Sequence, residues 1–115
     1  MSLAWKHEVP TLSWTAKQKN PHLARAVLSY LWNQVEQGTG CPTGMAYAAY
    51  AGLAREPALK IWAQKVLGTV YENSRREVAD KPSVVIGYAM TEKQGASDLR
   101  ETQTTAVYSH SAEHH

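Results

Sequence analysis

The chain has few of the features that would assign it a simple class. A single cysteine, Cys41, cannot form an internal disulfide, and no secretory leader pattern opens the sequence, so a reducing interior is expected, cytoplasmic by default and mitochondrial or peroxisomal if the source is eukaryotic. No apolar run approaches the roughly 18 residues that a membrane span requires, so no membrane partner is expected. Twelve basic and ten acidic residues alternate without a stripe, giving a formal charge of +2 that advertises no nucleic-acid surface. The glycine and lysine spacing of a phosphate-binding P-loop is missing, so nucleoside triphosphate binding is not supported. His7, His22 and His110 are isolated, with His114 and His115 at the terminus, so no metal site is expected. Internal repeats and low-complexity tracts are also absent. At 115 residues, 43% of them hydrophobic, the chain can build one small core at most.

What remains has a clear order. Residues 1–19 combine Trp5, Trp14 and Pro10 without a sustained period and read as irregular, with the tryptophans seeking an apolar surface to dock on. Asn20-Pro21 is a helix start, Asn as cap and Pro at the first helical position. Leu23, Val27, Leu28, Leu31 and Val35 form its apolar stripe, with Gly38 and Gly40 ending it. Tyr30 and Trp32 lie off the stripe, as in a helix contacted on more than one side. Cys41-Pro42-Thr43-Gly44 is read as a break before a helix from Met45 to Ala54, whose small residues suit either close packing in a bundle or a flat ligand laid against them. Glu56-Pro57 restarts a helix through Leu59, Trp62, Ala63, Val66 and Leu67 to about Tyr71, with a polar tail to Lys81.

After Pro82 the composition changes. Ser83 to Met90 concentrates Val84, Val85, Ile86 and Tyr88 in a short run that predicts a strand, and Thr102 to Tyr108 predicts a second. The fold class expected is therefore mainly α with a short β region: residues 1–82 helical, residues 83–115 the start of a β-domain. Between the two runs, Thr91 to Asp98 is a loop with Gly95 and two hydroxyls, Thr91 and Ser97. It reads either as an ordinary turn or as a loop offering N–H groups and hydroxyls to a polar ring edge or a phosphate. Glu92 beside Lys93 reads as a surface ion pair. Cys41 reads as a packing residue rather than a nucleophile.

The run Tyr88-Ala89-Met90-Thr91-Glu92-Lys93-Gln94-Gly95-Ala96-Ser97-Asp98 resembles the flavin-binding signature of the acyl-CoA dehydrogenases. Thr-Glu-Lys-Gln-Gly in place of the commoner Thr-Glu-Pro resembles the AidB-like branch, as do Leu3-Ala4-Trp5, Cys41-Pro42 with Met45, and Thr104-Thr105. The resemblance implies a partial acyl-CoA dehydrogenase fold: part of an amino-terminal helical domain, then the first strands of a β-barrel-like domain. It implies FAD as cofactor, with Tyr88, Met90 and Thr91 along the flavin ring and Ser97 near flavin and acyl thioester. Ala96 stands where most relatives have Gly; if that position needs positive φ, the methyl costs about 1 kcal/mol. The family's general-base Glu, which takes the α-proton of an acyl-CoA while the flavin takes the β-hydride, belongs to a domain outside this sequence. The chain is thus expected to be a fragment, inactive alone, whose partners are the remaining domains of the same polypeptide, further copies in a homotetramer, and acyl-CoA or, as in the DNA-associated protective branch, DNA. A non-catalytic helical module is the remaining alternative.

Overall fold

The computed structural model describes residues 1–95 and 98–107. Its helices are α1 (Ser2–Lys6), α2 (Leu12–Thr15), α3 (Pro21–Val35), α4 (Gly40–Leu53) and α5 (Lys60–Val66), with short 3₁₀ turns at Pro57–Leu59, Val78–Asp80 and Leu99–Glu101.

The first nineteen residues are more ordered than their aperiodic sequence predicts, because tertiary contacts supply what periodicity does not. Ala4, Trp5 and Val9 are buried together with Ala46 of α4, and Met1, Leu28, Trp32 and Tyr71 pack around them. Trp5 is fully buried, with its ring centroid 5.7 Å from that of Tyr71, so the amino terminus forms the centre of the core. Trp14 docks on α4: its Nε1–H donates to the Tyr47 carbonyl at 3.0 Å, and its ring stacks on Tyr47 at 5.4 Å. The chain therefore provides the docking surface for both tryptophans.

α3 begins and ends where its sequence predicts, with two corrections. Asn20 adopts left-handed φ/ψ of 55° and 53° and makes no side-chain cap; short polar side chains tolerate that region, and here Asn20 redirects the chain into the helix. The apolar stripe is not the buried face. Leu23, Val27, Leu31 and Val35 are all more than half exposed, while Leu28 and the off-stripe Trp32 meet the core. The Trp32 indole also donates to Thr39 Oγ1 at 2.8 Å, tying α3 to the next connection. That connection is shaped by Glu36, whose carboxylate accepts the N–H of Gly38 at 2.6 Å and of Thr39 at 3.0 Å as well as the Thr39 hydroxyl.

α4 starts at Gly40, before the expected break, and Pro42 lies inside its first turn. The first four N–H groups of a helix have no intrahelical acceptor, so proline there removes nothing. Thr43, buried, donates its hydroxyl to the Thr39 carbonyl at 2.8 Å.

α5 stops at Val66, short of the expected Tyr71, and the polar stretch after it is not a helical tail. Gly68 is the reason for a sharp exit: a Cβ there would stand 2.8 Å from the Pro82 carbonyl oxygen, so the returning chain passes where a side chain would be. Lys65 fastens that return, donating to the carbonyls of Ala79 at 2.7 Å and Lys81 at 2.6 Å. The Val84 N–H donates to the Lys65 carbonyl at 3.1 Å, and buried Ser83 donates its hydroxyl to Val70.

The expected strands are not formed among the described residues: 83–90 and 102–107 run as irregular backbone, outside any helix or ladder. A strand needs a neighbour with matching N–H and C=O groups. The Val84 N–H is instead taken by the end of α5, and among the described residues no main-chain bond joins the two runs. Tyr108, the last residue of the second predicted strand, lies outside the described residues.

Candidate functional site

Beyond Val84 the chain leaves the helical core and runs over α4, with Gly87 facing the Met45 side chain. Two concavities open along this stretch. The first, about 450 Å³, is almost wholly apolar and lies between α4 and the extended run. Ala48, Ala49 and Gly52 provide a floor of small residues, with Leu53, Leu59, Ile86, Tyr88 and Met90 as walls. The second, about 510 Å³, lies on the far side of Met90 and is lined by Ala89, Met90, Thr91, Glu92, Leu99, Thr102 and Thr104. Met90 lines both, so an apolar slot adjoins a cleft carrying three threonines.

The sequence explains the shape of the second cleft. The loop after Thr91 closes where the Asp98 N–H donates to the Gly95 carbonyl at 2.8 Å. A Cβ on Gly95 would stand 3.1 Å from the Asp98 carbonyl oxygen, a close approach that suits glycine. Asp98 then caps the Leu99–Glu101 turn: its Oδ1 accepts the Arg100 N–H at 3.1 Å, and its carboxylate pairs with the Arg100 guanidinium at 2.9 Å. The turn reverses the chain and brings Gln103 and Thr104 back to Glu92. Glu92 Oε2 accepts the Gln103 N–H at 2.8 Å, and Oε1 accepts the Thr104 N–H at 2.9 Å. The Gln94 amide donates to the same carboxylate. These donors, with the Gln103 N–H foremost and Thr104 next, hold the Glu92 carboxyl down at about 2.

Of the residues singled out in the sequence, Tyr88 and Met90 line the apolar slot and Met90 and Thr91 line the polar cleft. Tyr88 is 43% and Met90 53% exposed. Ser97 and Ala96 lie outside the described residues. Glu92 forms no ion pair with Lys93 among the described residues; its carboxylate faces main-chain N–H groups, which can approach both oxygens at once, whereas adjacent side chains diverge. Thr102 and Thr104 join the site through the reversal at Asp98, which their distance in sequence conceals. The small residues of α4 had an open reading, packing or ligand floor, and Ala48, Ala49 and Gly52 now stand at the floor of the slot.

The residues fit one edge of a flavin. Neutral threonine hydroxyls and exposed main chain can meet a polar ring edge without adding charge, and the neighbouring slot can accept a flat or linear apolar group. A chelating metal centre has no counterpart: among the described residues no three His, Cys, Asp or Glu side chains converge. Nor is any helix among them long and apolar enough to cross a membrane.

No solved structure gives a significant match to the chain. A protein of Escherichia coli strain K12 named "Putative acyl-CoA dehydrogenase AidB" is 34% identical over 103 residues, covering 87% of this chain and 19% of that protein. The chain therefore spans about a fifth of the relative's length. The family model described as the adaptive response protein AidB N-terminal domain matches residues 1–73, which hold all five helices, and the chain belongs to that family.

Proposed function

We propose that this chain is part of an FAD-dependent flavoprotein of the acyl-CoA dehydrogenase type and contributes one wall of its flavin and acyl site. The observation that carries the reading is the double role of Met90, which separates a threonine-lined cleft from an apolar slot floored by Ala48, Ala49 and Gly52. Tyr88, Met90 and Thr91 are assigned to the flavin ring, and Ser97 to the flavin and the acyl thioester. Residues 1–82 are assigned to an amino-terminal helical domain and 83–115 to the start of a β-domain, whose strands form once further segments of the polypeptide pair with them. An isolated pair of strands is marginal in water, in keeping with the lack of a ladder between the two runs among the described residues.

FAD, when bound, supplies the hydride acceptor for α,β-dehydrogenation of an acyl-CoA thioester. This chain's part is to hold and orient: threonine hydroxyls toward a polar ring edge, Met90 and Tyr88 against apolar surface. The proton acceptor of the reaction is assigned to a carboxylate elsewhere in the complete polypeptide. The complete protein, purified intact, is expected to be yellow with a flavin absorbance band. A colourless protein that does not take up added FAD would remove the reading.

A second reading, which rests on the resemblance of Thr91-Glu92-Lys93-Gln94-Gly95 to the AidB-like branch, is that the complete protein associates with DNA and dehydrogenation is secondary. Salt-dependent retention of duplex DNA by the complete protein, with weak turnover of acyl-CoA, is the result that would select it.

A further inference from the structure

Two extended runs flank the polar cleft, and among the described residues no ladder of main-chain bonds, the usual way to hold such runs together, joins them. Among the described residues, the hydrogen bonds that cross from Ala89–Glu92 to Thr102–Val107 both end on one side chain. Glu92 Oε2 takes the Gln103 N–H at 2.8 Å and Oε1 takes the Thr104 N–H at 2.9 Å. A carboxylate accepting two N–H groups makes charge-assisted bonds, roughly twice as strong as neutral ones. We infer that Glu92 is the positioning residue of this cleft, a latch whose two oxygens fix the Gln103–Thr104 wall against the Met90–Thr91 wall and so set the affinity for the ligand bound between them.

The placement of the latch supports this role. Glu92 directly follows Met90 and Thr91, so its backbone is continuous with one wall, and Thr104, which it grips, lines the other. The turn between them is independently closed by Asp98 onto Gly95 and Arg100, which delivers the donors to Glu92 but makes no bond across the cleft. The Gln94 amide braces the carboxylate from its own side of the loop. Removing Glu92 therefore frees the far wall while leaving the turn and the helices in place. The ligand part of the inference rests on the flavin reading; the latch itself does not.

The test compares the complete protein with Glu92→Ala, which removes both acceptor oxygens, and Thr104→Pro, which deletes a donor from the opposite wall. Main-chain exchange at Gln103 is expected to accelerate about tenfold or more in both variants, and at Thr104 in Glu92→Ala. Exchange at Trp5 and Val66 should stay at the wild-type rate and so show that the core is intact. FAD dissociation should speed up in parallel. Unchanged exchange at Gln103 would overturn the latch. Accelerated exchange with unchanged FAD retention would overturn its positioning role. If the wild type binds no FAD, the flavin reading fails separately, and exchange still decides the latch.

Discussion

Glu92 Oε1 and the Thr104 main-chain nitrogen meet at 2.9 Å across twelve positions of chain. With Gln103 N–H on the other oxygen, the pair of contacts favours the ionised carboxylate, since protonation turns one of the two acceptors into a hydroxyl. Glu92 sits below its ordinary value of 4.5, at about 2, owing first to the Gln103 N–H and then to Thr104. A lowered folded-state value means that the contribution is fully present above about 4.5 and is lost as pH falls toward 2. A carboxyl-carbon NMR titration is expected to give a Glu92 midpoint near 2. A midpoint near 4.5 would show that the two N–H groups do not engage it in solution.

Trp5 makes a prediction about the helical part. It is fully buried among Ala4, Val9 and Ala46, with Tyr71 tilted against it. Trp5→Ala leaves a large void in a small core, and the expected loss is about 3–5 kcal/mol. Denaturant midpoints of the two proteins measure it; a loss below about 1 kcal/mol would mean the site collapses without cost.

Gly68 tests the return of the chain after α5. A methyl group there meets the Pro82 carbonyl oxygen at 2.8 Å, and backbone is hard to displace. Gly68→Ala is expected to destabilise by about 1–3 kcal/mol through overpacking. A neutral or raised melting temperature would show that the Pro82–Ser83 segment does not lie over this position.

The starts of α3 and of the helical segment leading to α5 were legible because local signals mark them. Asn20-Pro21 opens α3 and Glu56-Pro57 opens the turn that leads to α5, where Glu56 accepts the Ala58 N–H at 3.3 Å. What could not be read were features set by distant partners. Trp5 and Trp14 order the first nineteen residues through Tyr71 and Tyr47, far along the chain. The stripe of α3 is regular enough to predict burial, yet Leu28 and Trp32 are the residues that the amino-terminal segment covers. The β-branched run from Ser83 gives the right local preference for extended backbone, but a strand also needs a neighbour, which propensity does not supply. At the site, the signature residues Tyr88, Met90 and Thr91 stood out in sequence, whereas Glu92 read as half of an ion pair. Its engagement with Gln103 and Thr104 depends on the reversal at Asp98, and no spacing rule carries that information.

Thr91 puts the account to its most direct test, because it lines the cleft with a neutral hydroxyl and does not belong to the buried core. Titration of the complete apoprotein with FAD, followed by flavin fluorescence, compares wild type with Thr91→Val, which keeps the side-chain shape and removes the hydroxyl. The predicted result is a Kd raised about 5- to 15-fold, the loss of one hydrogen bond of roughly 1–1.5 kcal/mol, with helical content unchanged. Equal affinity in the two proteins would contradict the assignment of this cleft to the flavin.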